Sequence, residues 1–239
     1  MLGTELMVQA RCGGQNCRGQ FTVNDLNFVV ETLTRSGSES GALIRLLRDP
    51  DSLDVVLDEE LLHKAVVAGD AAPECLQVSP PFYFYVLTRR ALLRHGLDDR
   101  HLCDYIASML AAFTRQRTLE LAQSPAGARS FGYLGDMLQA ADNAPAAQKF
   151  GLRCFLADYA LFLSGIFKER VEARKHGAPG VGFYEAVGQQ SYRAAAGYPE
   201  AARENVRALF GRLAETFHEV RISLNEMAEQ TLHFEPPII

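Results

Sequence analysis

The stretch Gln148–Phe167, QKFGLRCFLADYALFLSGIF, carries apolar residues on every side of a helical wheel and leaves no face suited to water. A helix apolar all round is the buried centre of a domain or a membrane span. Lys149, Arg153 and Asp158 interrupt the run, and charges in mid-segment point to a protein interior rather than lipid. A buried helix needs cover, and the segments around it read as helices that each carry one apolar stripe. The expected fold is therefore all-α: a single multi-helix bundle built around a central helix at about 148–167, with a long C-terminal helix packed along it.

The remaining segments fill in that bundle. Leu26, Phe28, Val29, Val30 and Leu33 suggest a short helix stopped near Ser36-Gly37, and Ala42–Arg48 another. DPDSLDVVLDEELLHKAVVAGD offers Asp51, Asp54 and Asp58 as N-caps and Gly69 as a stop, so it reads as short helical pieces. Ser79-Pro80-Pro81 opens an aromatic helix that closes at Arg94, His95 and Gly96, and Asp98 or Asp99 caps the next one, forming a hairpin. Ser124-Pro125-Ala126-Gly127 and KHGAPGVG (Lys175–Gly182) are loops. Tyr133–Ala141 is a short helix, and Phe183–Ala196 another in which Gly188 lets a neighbour approach closely.

The final helix is expected from Pro199 to about His233. Val206, Phe210, Leu213, Phe217, Val220, Leu224, Met227 and Thr231 step by four and three, the pattern of a continuous packing seam. The expected organisation is a flexible tail over 1–20, a collar of short helices over 21–78 packed on a main bundle over 79–233, and an extended tail over 234–239 that Pro236-Pro237 keeps out of the helix.

Charge and cysteine usage narrow the function classes. A net charge of -5 gives no general attraction for nucleic acid. MLGTELMVQARCGGQ lacks a charged region followed by an apolar one, so no export signal is read, and no membrane span is expected. Five dispersed cysteines fit reduced thiols in the cytoplasm. The close pair Cys12 and Cys17 lacks the further ligands a zinc site needs. Dinucleotide, P-loop, serine-hydrolase and zinc-protease motifs are absent.

Among residues that could carry chemistry, Asp158 is the sharpest, because a carboxylate amid CFLADYALFL is costly to bury without a partner. The reading taken is a polar latch; the alternative is a ligand-binding carboxylate with a raised pKa. Arg89, Arg90 and Arg94 with Tyr83 and Tyr85 could form an anion-binding or aromatic-lined pocket. Tyr184, Glu185, Ser191 and Tyr192 could line the same cavity. Two Glu-x-x-His pairs, Glu60/His63 and Glu215/His218, match the spacing used in di-iron bundles, but a motif this short arises easily by chance, and Glu215 lies off the seam. No cofactor is implied.

The combination SPPFYFYVLTRRALL, DDRHLCDYIASML, FLADYALFLSGIF and FYEAVGQQSYRAAA resembles a group of uncharacterised bacterial all-helical proteins over roughly residues 40–230. The resemblance implies an intact helical domain and carries over no catalytic residue. The leading expectation is a non-enzymatic helical interaction or regulatory protein that binds a protein partner or self-associates. A helical enzyme or small-ligand binder with a pocket near Asp158 is the alternative, and a di-iron-type metal protein the third.

Overall fold

The computed structural model describes residues 16–34, 37–68, 77–123, 134–173, 179–203 and 205–231. Every regular element among them is a helix, as the all-α expectation requires. None of these helices is long and apolar enough to cross a membrane. Two compact units form, one from residues 16–111 and the other from the described residues beyond 111. Residues 1–15, with Cys12, lie outside the described residues, as do the expected stop at Gly69, the loop at Ser124–Gly127, the first four residues of KHGAPGVG and the extended end at 234–239.

The first unit opens with a single 3-10 turn, Arg18–Gln20, and then α1 (Val23–Leu33), α2 (Gly37–Leu46), α3 (Pro50–Leu57), α4 (Glu60–Ala68), α5 (Pro80–Arg94) and the start of α6 (Arg100–Gln123). A capping box starts α1: Thr22 Oγ1 accepts from the Asp25 backbone N–H, and the Asp25 carboxylate accepts from the Thr22 backbone N–H at 2.6 Å. The same carboxylate takes the Ser79 backbone N–H at 2.6 Å and its hydroxyl at 2.7 Å. Ser79 is in turn the N-cap of α5, so one buried acid serves the positive ends of two helices.

Asp49 caps α3 with Pro50 at the first position, in place of the Asp51, Asp54 or Asp58 caps expected. Helix α5 ends in a Schellman motif: Gly96 takes φ +72, Leu97 N–H reaches the Leu92 carbonyl at 2.9 Å, and Gly96 N–H reaches Leu93 at 3.1 Å.

The aromatic run of α5 is helical and buried without a break from Pro81 to Arg89, so the chain has a second helix covered on all sides. Within its unit, Phe82 meets Phe21 and Phe28 edge to face, and Tyr85 meets Phe21. Such packing places α5 with the short helices, and the boundary between compact units falls at Ala111 inside α6 rather than between residues 78 and 79. Residues 17–20, which the expected tail included, are packed in this unit. Cys17 is fully buried, its thiol donating to the Pro81 carbonyl at 3.2 Å, and Arg18 is anchored by two aspartates.

Beyond Ala111 come the rest of α6, then α7 (Leu134–Asn143), α8 (Ala146–Ile166), α9 (Lys168–Glu172), α10 (Val181–Gly197), α11 (Pro199–Arg203), α12 (Arg207–Glu215) and α13 (Phe217–Thr231). Helix α8 is the expected central helix, and no residue from Lys149 to Phe167 is exposed. It packs on α7, α9, α10 and α13. Phe113, at the start of this unit's share of α6, stacks on Phe162 with ring centroids 4.6 Å apart.

The single long C-terminal helix is instead three. Asn205 adopts φ +55, Val206 N–H bonds the Ala201 carbonyl at 2.9 Å and Asn205 N–H bonds Ala202 at 3.3 Å. Asparagine therefore closes α11 in the left-handed cap more often given to glycine. At the second break, Thr216, the backbone N–H and the hydroxyl both donate to the Arg212 carbonyl at 2.9 Å. The seam survives both interruptions: Val206, Phe210, Leu213, Phe217, Val220, Leu224 and Met227 are all buried. Its contacts are internal, with Leu224 against Gly165 of α8 and Phe217 against Gly188 of α10.

Candidate functional site

In the unit beyond Ala111, Asp158 on α8 is 3% exposed and accepts a hydrogen bond from the Tyr192 hydroxyl on α10 at 2.7 Å. A phenol donating to a carboxylate at this length is a charge-assisted bond, stronger than a neutral one. Aromatic packing fixes the donor, since the Tyr192 ring lies 5.6 Å from that of Phe210 and 6.2 Å from that of Phe217. Tyr184 is on the same helix, about two turns earlier, and is also buried. Ser191 is fully buried and its hydroxyl has no hydrogen-bond partner. The arrangement ties α8 to α10 through one carboxylate.

A second polar connection in this unit joins α10, α13 and the end of α8. Glu185 accepts from Arg221 Nε at 3.0 Å and faces His218 Nδ1 at 2.9 Å. Arg221 Nη1 donates to Asn225 Oδ1 at 2.7 Å, and Asn225 Nδ2 donates to the carbonyls of Ser164 and Gly165 at 2.8 and 2.7 Å. Those carbonyls are in the last turn of α8, where the helix lacks intrahelical donors. Asn225 supplies them from a neighbouring helix. Of this set Glu185 and His218 stood out in the sequence, His218 for a different pairing; Asn225 sits among seam residues with nothing in its spacing to mark it.

In the unit of residues 16–111, Arg89 is 2% exposed and lies in an alternating chain of acids and bases. Its guanidinium donates to Asp58 at 2.9 and 3.0 Å and to Asp98 at 2.6 Å. Arg100 joins Asp58 at 2.7 Å, Asp54 at 3.2 Å and the Tyr85 hydroxyl at 3.5 Å. Arg18 then pairs with Asp54 and, through Nε and Nη2, with Asp104 at 3.0 and 2.7 Å. The expected anion pocket at Arg89 is thus occupied by the protein's own carboxylates. Asp54 in the last turn of α3 and Asp58 at its C-cap are four apart, and that spacing is the signal that could have located the chain of charges, because it presents two acids on one side.

Burial opposes ionisation at Asp58 and Asp104, and the two carboxyls come out on opposite sides of the balance with their arginines. At Asp58 burial raises the pKa, but Arg89 and Arg100 outweigh it and hold the carboxyl below its ordinary value. At Asp104 burial prevails over Arg18 and the pKa is raised. Burial also pushes the Cys17 thiol up to about 12 and Cys103 well above the usual range. Thiols so shifted remain protonated at neutral pH and are poor nucleophiles. Both donate to carbonyls of α5, Cys17 to Pro81 and Cys103 to Tyr85.

Arg90 is half-buried, with a buried Nε that has no hydrogen-bond partner. Its charge, with that of Arg94, adds to burial in lowering the pKa of half-buried His63. Neither Glu-x-x-His pair is held together as a pair of ligands within its own unit. Glu60 is exposed and pairs with Lys64 at 2.9 Å, Glu215 is exposed at the end of α12, and the break at Thr216 separates it from His218, which turns to Glu185. Among the described residues no three His, Cys, Asp or Glu side chains are grouped to hold a metal ion.

Comparison with known proteins finds no matching family model, no matching curated protein and no matching solved structure.

Proposed function

We propose that the chain is a non-enzymatic helical interaction protein, and that the short helices of residues 16–111 carry the binding surface. One observation carries this reading. Of the six large apolar side chains exposed among the described residues, five (Val23, Ile44, Leu46, Val55 and Leu61) fall between residues 23 and 61, and Val55 and Leu61 are 65% and 60% exposed. Exposed apolar side chains scattered singly are ordinary, and their concentration on one set of helices supports reading that set as an interaction surface. The polar clusters support the same reading, because their groups are engaged with one another: the Arg89 guanidinium with Asp58 and Asp98, and the Asp158 carboxylate with the Tyr192 hydroxyl.

Photo-cross-linking from residues 55 and 61 in the living cell tests this reading, with the exposed position 172 on α9 as control. The expected result is discrete protein adducts from 55 and 61 that are missing from 172. No adducts, or the same adducts from all three positions, would overturn it.

A further inference from the structure

We propose that helices α4 and α5 hold a binding site for a doubly charged phosphate, free or carried as a monoester by a small molecule, with Arg90 as its main ligand and Arg94 and His63 beside it.

Arg90 is the exception among the part-buried arginines of its unit. Arg18 pairs with Asp54 and Asp104, Arg89 with Asp58 and Asp98, and Arg100 with Asp54 and Asp58. Arg90 is half-buried as well, yet it makes no hydrogen bond or ion pair among the described residues, and its Nε is buried without an acceptor. Glu60 on α4 feels the charge of Arg90, but it is exposed and pairs with Lys64 at 2.9 Å. A donor taken out of water with no acceptor costs more than an ordinary hydrogen bond contributes. An external oxyanion supplies the acceptor, and the guanidinium fork matches two of its oxygens.

Two neighbours give the spot its sign. Arg94 lies one turn beyond Arg90 on the same side of α5, and α4 packs against α5. His63, half-buried on α4, is held below its ordinary pKa by burial, then by Arg94 and Arg90, against the opposite pull of Glu60. Its neutral ring still offers one N–H donor.

That sign selects the ligand. Glu60 and His63 have the spacing of metal ligands, but the two guanidiniums that bear on His63 repel a cation. An anion is attracted, and a doubly charged one gains twice the Coulomb energy of a carboxylate from each arginine. Phosphate also presents enough oxygens for Arg90, Arg94 and the His63 N–H together, where a carboxylate has two. Once bound, the dianion offsets the arginines and makes His63 easier to protonate.

The test is proton NMR of the full chain, following the His63 ring signals, which are assigned by their loss in His63→Gln. Inorganic phosphate, methyl phosphate, acetate and chloride are compared at one ionic strength, so that screening is the same in all four. Phosphate or methyl phosphate is expected to shift the signals to saturation and to raise the pKa of His63 toward its ordinary value of about 6.5; whichever binds more tightly identifies the free ion or the monoester. Acetate and chloride are expected to do neither. Arg90→Gln should weaken phosphate binding roughly tenfold or more, and Arg90→Lys, which keeps the charge and loses the fork, should fall between. Helical circular dichroism checks that both variants fold. The absence of a saturable shift in the wild-type chain, an equal shift with acetate, or undiminished binding by a folded Arg90→Gln protein would each overturn the inference. If Arg90→Gln does not fold, the wild-type comparison of phosphate with acetate decides alone.

Discussion

Gly188 on α10 leaves the space that the Phe217 ring of α13 fills: a Cβ at Gly188 would lie 2.3 Å from Phe217 Cε2 and 2.4 Å from Cζ. Neither atom belongs to a flexible chain end, and the ring is itself fully buried. The close approach of α10 and α13 thus depends on a hydrogen where every other residue has a side chain.

Gly188→Ala should therefore destabilise the protein. Overpacking a filled core costs about 1–3 kcal/mol, against a gain of roughly 1 kcal/mol from replacing a mid-helix glycine. Gly165→Ala makes a milder clash, 3.0 Å from Leu224 Cβ and Cδ1, and should cost less. Urea unfolding of both variants checks the ranking. A Gly188→Ala protein as stable as wild type would show that the ring can move aside.

The acid limb of stability should report on Asp58. Its folded pKa is depressed by Arg89 and Arg100 against the opposing effect of burial, so its contribution is present above the unfolded value of about 3.9 and is lost as pH falls through the folded one. Asp58→Asn should be less stable than wild type at neutral pH, with the gap closing in acid. Asp104 has a raised folded pKa, so its ionisation weighs against the fold above about pH 3.9. The deficit of Asp104→Asn should accordingly widen in acid. Chemical denaturation from pH 3 to 7 reads both signs. Parallel profiles for the two variants would contradict the assignment.

The parts of the fold that were legible in the sequence are those set by periodicity and composition. The apolar run around Asp158 marked a helix with no exposed face, and the four-three steps from Val206 to Met227 marked buried positions even though the helix carrying them is broken twice. The breaks themselves were hidden because they depend on backbone conformation. Asn205 takes a left-handed conformation that many asparagines do not adopt, and the hydroxyl bond of Thr216 to Arg212 marks no break by itself, since Ser164 and Ser223 make the same bond inside unbroken helices. The ion chain was hidden for a different reason. Arg18 and Asp104 are 86 residues apart, and spacing along a chain carries no information about charges brought together by folding. Asp54 and Asp58 read equally well as helix caps, and Asp49, one residue before Pro50, took that role instead.

Asp158 and Tyr192 provide the last prediction, since the latch and the ligand-site readings separate on what happens when either member is removed. Asp158→Ala removes the acceptor of the Tyr192 hydroxyl bond, at a cost on the order of 1–3 kcal/mol. Asp158→Asn keeps an acceptor oxygen and should lose less. Tyr192→Phe removes the donor and leaves a carboxylate buried without that bond, a loss of similar size because hydrogen bonds to charged groups are the stronger class. If the bond holds α8 to α10, the Asp158→Ala, Tyr192→Phe double variant should be more stable than the sum of the two single losses requires, because the second substitution no longer breaks anything. Thermal or urea unfolding of the four proteins measures that coupling. Strictly additive losses would show that the two side chains do not depend on each other, and single variants as stable as wild type would remove the latch altogether and return Asp158 to consideration as a ligand-binding group.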